Sequence, residues 1–130
     1  MVFPVHPRTR KALDSMRPDG LRLIDPLGYL DFMKLMADSR LVLTDSGGIQ
    51  EETTVLGVPC LTLRKNTERP ATVEQGTNIL VGQEPKDILA ACMTSLASPK
   101  LGRVPALWDG NAASRIIGIL LDQCRSLLAN

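Results

Sequence analysis

Short apolar runs alternate with amphipathic stretches along this chain. Residues 2–5 read as the end of a strand, and residues 8–16 as a helix stopped by Pro18-Asp19-Gly20. Residues 21–24 read as a second strand. Tyr29, Phe32, Met33 and Met36 then fall at i, i+3, i+4 and i+7, the spacing of one helical face. Leu41-Val42-Leu43 is a continuous apolar run, the pattern of a strand buried on both faces. Residues 45–48 predict a turn, residues 49–56 a helix with Gly57 as its stop, and residues 58–63 the next strand. A polar loop over 64–70 leads through a short helix to a last strand at Ile79-Leu80-Val81. Pro85 suits the first position of a helix that carries Ile88, Leu89, Cys92, Met93 and Leu96 on one side. After a loop-like stretch over 98–111, a final helix carries Ile117, Leu120, Leu121, Cys124, Leu127 and Leu128.

Strands alternating with helices predict an α/β fold: a partial, Rossmann-like parallel sheet of about five strands with flanking helices. No linker or low-complexity tract divides residues 1–130, so one domain is expected. Because the chain opens directly on a buried-type strand, that domain is expected to be incomplete. Composition changes this picture only by exclusion. There are 15 basic and 14 acidic residues, a net charge of +1, and 3% aromatics. That balance lacks both the basic excess and the stacking residues of a nucleic-acid binder. The longest apolar run, residues 116–121, is too short to span a membrane, and the start lacks the pattern of a signal peptide. A cytoplasmic protein with no membrane partner is expected. Cys60, Cys92 and Cys124 form no CxxC pair and there is one histidine, so neither a structural metal nor a cofactor is predicted.

In open parallel sheets, ligands sit beyond the carboxyl ends of the strands. Four segments fall at that edge: His6-Pro7, Asp25-Pro26, Asp45-Ser46-Gly47-Gly48 and residues 64–69. The third carries the clearest chemistry. Glycines between a strand and a helix let an anion reach the backbone, where first-turn N–H groups and the helix dipole favour negative charge. Ser46 adds a hydroxyl. Read alone, the same residues also describe a plain helix cap. Glu51 and Glu52 follow on that helix; either a sugar diol or solvent would suit them. Arg64, Lys65 and Arg69 place three cations in the next loop, suited to a diphosphate or to a solvated basic loop. Periodicity puts Phe32 in the core. His6, the lone histidine, reads as structural or catalytic.

Taken together, these segments resemble the non-hydrolysing UDP-N-acetylglucosamine 2-epimerases. The resemblance rests on Phe3-Pro4-Val5-His6-Pro7, Leu23-Ile24-Asp25-Pro26-Leu27-Gly28-Tyr29-Leu30 and Leu43-Thr44-Asp45-Ser46-Gly47-Gly48-Ile49-Gln50-Glu51-Glu52. It continues through Leu56-Gly57-Val58-Pro59-Cys60, Asn66-Thr67-Glu68-Arg69-Pro70 and Trp108-Asp109-Gly110-Asn111-Ala112-Ala113. The resemblance implies a two-domain GT-B-like architecture, of which this chain is the carboxyl-terminal, UDP-binding part. It implies that Ser46, Gly47 and Gly48 hold the UDP phosphates, that Glu52 binds the ribose hydroxyls, and that Arg69 sits by the nucleotide. It also implies that Phe32 packs against uracil rather than in the core, and that His6 lies near a regulatory UDP-sugar site. The implied partner is UDP or a UDP-N-acetylhexosamine, and the implied full-length assembly is a homodimer.

The reaction so implied interconverts UDP-GlcNAc and UDP-ManNAc, through elimination and re-addition of UDP. This chain would stabilise the leaving diphosphate. Its amino-terminal domain, the acidic residues that move the C2 proton, and the first strand of this domain are all expected to lie outside the chain. Ala71 stands where many members carry Glu. The fragment is therefore expected to be inactive alone, with no catalytic residue assigned to it. Two alternatives remain beside the epimerase reading: the nucleotide-sugar half of a GT-B glycosyltransferase, and a UDP-binding module or remnant without chemistry. The absent strand would fall between residues 2–5 and 41–44. Those two strands are then expected to keep a gap of about 9–10 Å, twice the usual spacing, or to pair directly.

Overall fold

The computed structural model describes residues 1–13 and 19–128, which form two compact units, Met1–Asp38 and Ser39–Asn130. The far end of the helix expected over 8–16, and the Pro18 stop, lie outside the described residues.

The smaller unit has the order β1 (Val2–Pro4), α1 (Pro7–Leu13), β2 (Arg22–Ile24) and α2 (Tyr29–Ala37). β1 and β2 run parallel with Phe3 opposite Leu23, and the Val5 N–H extends the ladder to the Ile24 carbonyl at 3.0 Å. The Arg10 guanidinium on α1 meets the Asp25 carboxylate just past β2 at 3.1 Å. Val5 and Met36 are buried, and Phe32 and Met33 are half-covered. Tyr29, expected on that same face, is exposed at the first residue of α2.

The larger unit runs β3 (Val42–Thr44), α3 (Gly47–Leu56), β4 (Cys60–Thr62), α4 (Pro70–Glu74), β5 (Asn78–Leu80), α5 (Pro85–Ala97) and α6 (Ala112–Leu128). Its strands are parallel in the order β3-β4-β5, with Val42 opposite Cys60 and Cys60 opposite Asn78. The five strands fall in a two-stranded and a three-stranded sheet, each parallel within itself.

β4 is the central strand, and all three of its residues are buried. β3 is an edge strand of its sheet, and the apolar run at 41–43 is not covered as expected: Leu41 and Val42 are half-buried. Leu43 is 38% exposed. α3 ends at Gly57, whose φ of 70° is the left-handed conformation that glycine adopts without steric cost.

Two helices correct the pattern-based core. On α5 the covered positions are Ile88, Ala91, Cys92 and Ser95, whereas Leu89, Met93 and Leu96 are exposed. On α6 no residue is buried, and Ile117, Leu120, Leu121, Cys124, Leu127 and Leu128 are all open. A period of 3.6 reports which side chains share a face; it does not report whether anything covers that face. No helix among the described residues is long and apolar enough to cross a membrane.

Candidate functional site

β3 ends at Thr44, the chain turns through Asp45 and Ser46, and α3 begins at Gly47. Ser46 is the residue preceding the first turn, in extended conformation, yet its hydroxyl caps no backbone N–H. Its own N–H donates to Thr44 Oγ1 at 3.0 Å. The plain-cap reading of this turn is therefore not what the structure contains. The N–H groups that open α3 are not taken by a capping side chain, and they carry the positive end of the helix dipole.

Gly47 and Gly48 are the first two helical residues rather than part of the turn. Neither has a positive φ. A Cβ at 47 would meet nothing within 4 Å, and one at 48 only Ser46 Oγ at 4.0 Å. Gly76 differs: a Cβ there would lie 2.5 Å from Thr54 Oγ1 and 2.7 Å from the Thr72 carbonyl. Gly76 is demanded by packing, whereas the pair at 47–48 is demanded by neither packing nor conformation. A helical glycine in place of alanine costs roughly 0.5–1 kcal/mol. Two in succession at a helix start leave the backbone bare to a close-approaching group.

The loop after β4 supplies the charge, though less of it than the sequence implies. Arg64 is bound at 2.9 and 3.3 Å to Glu68. The Glu68 carboxyl is held below its ordinary range, first by its own backbone N–H and then by Arg64. Lys65 is exposed and makes no ion pair among the described residues. Arg69 turns to α3, where its Nε meets Glu51 Oε1 at 2.9 Å, and its Nη1 donates to the Glu68 carbonyl at 3.3 Å. Of the three expected cations, Arg69 is the one tied to the helix that carries the glycine pair. Glu52 is half-buried on that helix, and its carboxylate makes no hydrogen bond or ion pair among the described residues.

Beneath this surface lies a polar cluster that hydrophobic patterning does not find. Gln50, Thr62, Thr72 and Asn78 are fully buried. Thr62 Oγ1 donates to Asn78 Oδ1 at 2.6 Å, Asn78 Nδ2 donates to Gln50 Oε1 at 3.2 Å, and Thr67 Oγ1 donates to the same Gln50 oxygen at 2.6 Å. The Lys100 ammonium donates to the Val73 carbonyl and, at 2.9 Å, to that of Asn78; partial burial lowers its pKa. The only sequence signal is the spacing of Gln50, Thr53 and Thr54 on the buried face of α3, which a hydrophobic scan scores as a polar face.

His6 and Phe32 belong to the smaller unit. His6 is exposed and starts α1: its Nδ1 accepts the Arg8 N–H at 3.3 Å, and its carbonyl accepts the N–H groups of Thr9 and Arg10. Phe32 is half-buried on α2. The motif around Trp108 opens α6, where Asp109 accepts the Asn111 N–H at 3.0 Å and pairs with Arg115. The Asn111 N–H first, and Arg115 next, hold its carboxyl below the usual range.

Comparison with known proteins finds relatives along most of the chain. The family model described as UDP-N-acetylglucosamine 2-epimerase matches residues 1–121. The chain is 40% identical to the UDP-N-acetylglucosamine 2-epimerase of Methanococcus maripaludis over 130 residues, covering 95% of this chain and 35% of that protein. It is 42% identical to the UDP-2,3-diacetamido-2,3-dideoxy-D-glucuronate 2-epimerase of Pseudomonas aeruginosa, covering 89% of this chain and 33% of that protein. Among solved structures, it matches the Methanocaldococcus jannaschii UDP-GlcNAc 2-epimerase in complex with UDP-GlcNAc and UDP. The TM-score is 0.78 at 42% identity, covering 92% of this chain and 35% of the other. The chain spans about a third of the length of the relatives it matches.

Proposed function

Because the chain belongs to the UDP-N-acetylglucosamine 2-epimerase family, we propose that it holds the UDP moiety of a UDP-N-acetylhexosamine at the start of α3. In this reading Ser46, Gly47 and Gly48 receive the diphosphate, Arg69 adds positive charge, and the unpaired Glu52 accepts the ribose hydroxyls. The observation that carries the proposal is the glycine pair, which nothing in the fold requires, at the start of a helix whose preceding serine does not cap it. The names of the relatives point the same way. One acts on UDP-N-acetylglucosamine and another on a different UDP-sugar, so UDP is the part they share.

The reaction supported for the whole protein is inversion at C2 by elimination and re-addition of UDP. Breaking the anomeric C–O bond leaves its electron pair on the diphosphate. First-turn N–H groups and a fixed cation stabilise that charge as it develops. Removal and return of the C2 proton needs a positioned acid or base. The one histidine of this sequence, His6, is engaged with the first turn of α1. We therefore assign to these residues the binding of the leaving group and not the proton transfer. Calorimetry on the 130-residue chain should rank UDP above UMP and UMP above uridine, with no conversion of UDP-GlcNAc over a buffer blank. Equal affinity for uridine and UDP sinks the reading.

A further inference from the structure

Both backbone polar groups of Arg69 end in the buried cluster, and the hydrogen bonds form a closed ring. The Arg69 N–H donates to Thr67 Oγ1 at 2.9 Å, and Thr67 Oγ1 donates to Gln50 Oε1 at 2.6 Å. Asn78 Nδ2 donates to Gln50 Oε1 at 3.2 Å and to Thr72 Oγ1 at 3.1 Å. Thr72 Oγ1 in turn donates to the Arg69 carbonyl at 2.7 Å. The ring fixes the orientation of its own amides. The Thr72 proton is committed to the Arg69 carbonyl, so the Asn78 atom facing that hydroxyl must be the donor Nδ2. The second hydrogen of Nδ2 then requires the Gln50 oxygen, and not its nitrogen, at the junction. Gln50 Nε2 is left as a buried donor without a partner among the described residues. Burying an unpaired amide donor is costly, so the gain lies in what its oxygen holds.

We infer that Gln50 is a positioning residue: through Thr67 and Asn78 it holds Arg69 in place beside α3 before any nucleotide arrives. Gln50 lies on the helix that the glycine pair opens, whereas Asn78 lies on β5. The ring therefore locks the loop after β4 to the helix and to the sheet at once. The Arg69 side chain is laid on the same helix through Glu51, and its Nη2 makes no bond among the described residues. That atom points the role of the device. A cation whose backbone and Nε are already fixed loses little freedom when an anion binds, so more of the contact appears as affinity. This role rests on the diphosphate reading above.

The test uses two shape-conserving variants. Gln50→Met removes the shared acceptor. Thr67→Val acts at a half-exposed position, so it spares the fold should Gln50→Met fail to fold. Two readouts are taken on each: hydrogen exchange at the Arg69 amide, and UDP affinity with and without Arg69→Ala. The Arg69 amide should exchange about tenfold faster or more in both variants, while the β4 amides keep their protection. UDP affinity should fall about tenfold in either variant, with little further loss once Arg69 is already alanine. A rank of affinity losses that simply adds to that of Arg69→Ala overturns the positioning role, as does an unchanged Arg69 exchange rate. A wild-type chain that does not bind UDP overturns the diphosphate reading itself, and the positioning role with it.

Discussion

Around β4 the covered side chains are mostly polar, while along α6 the apolar side chains are all open. Nine polar residues of the larger unit are buried, against four with apolar side chains, Val58, Cys60, Leu61 and Pro105, among the described residues. α6 carries Ile116, Ile117, Ile119, Leu120, Leu121, Leu127 and Leu128 without burying any of them. The contrast shows that burial here follows hydrogen-bond closure and not hydropathy. A buried hydroxyl or amide is tolerable when its partners are present, and this cluster supplies them for nearly every atom. Such a cluster concentrates stability where its loss is most costly, and it does so directly beneath the helix and loop that carry the proposed UDP site.

The sharpest way to break the contrast is Asn78→Leu. It strips the partners of Thr62, Thr72 and Gln50 at once. The expected loss is about 3 kcal/mol or more, read as a drop in the denaturant midpoint, a large part of the roughly 5–15 kcal/mol that holds a domain. A loss under about 1 kcal/mol would mean that water replaces the network readily. Gly76→Ala should follow at about 1–3 kcal/mol, because its Cβ would collide with Thr54 and the Thr72 carbonyl. At the other end of the scale, Leu120→Ser on α6 should change stability by no more than about 0.5 kcal/mol. A loss above about 1.5 kcal/mol would show that α6 is covered in solution.

The same contrast explains what could be read from the sequence. Element order was legible throughout, because alternating apolar runs and helical faces mark parallel α/β units whatever covers them. The strand-to-helix junction at 45–48 was legible as a turn, although Gly47 and Gly48 are already helical; its role as a site is the proposal made above. The family resemblance drawn from the motifs holds, with the family model matching residues 1–121. Three things were not legible. Burial on α5 and α6 was overestimated, since a hydrophobic face carries no information on its neighbour. The Arg64–Glu68 and Arg69–Glu51 pairs, which engage two of the three expected free cations, depend on loop geometry that composition does not show. The ring through Gln50 joins residues 28 apart in the chain, and each of its members looks by itself like an ordinary surface polar residue.

The central claim is that Gly47 and Gly48 serve a ligand and not the fold. Gly48→Ala tests it most directly, with thermal melting and UDP calorimetry on the same sample. The added methyl has room, so stability should hold or rise by about 0.5 kcal/mol. UDP affinity should fall about tenfold or more, about 1.4 kcal/mol, while the weaker binding of uridine stays as it was. A Gly48→Ala chain that binds UDP as the parent does would contradict the account.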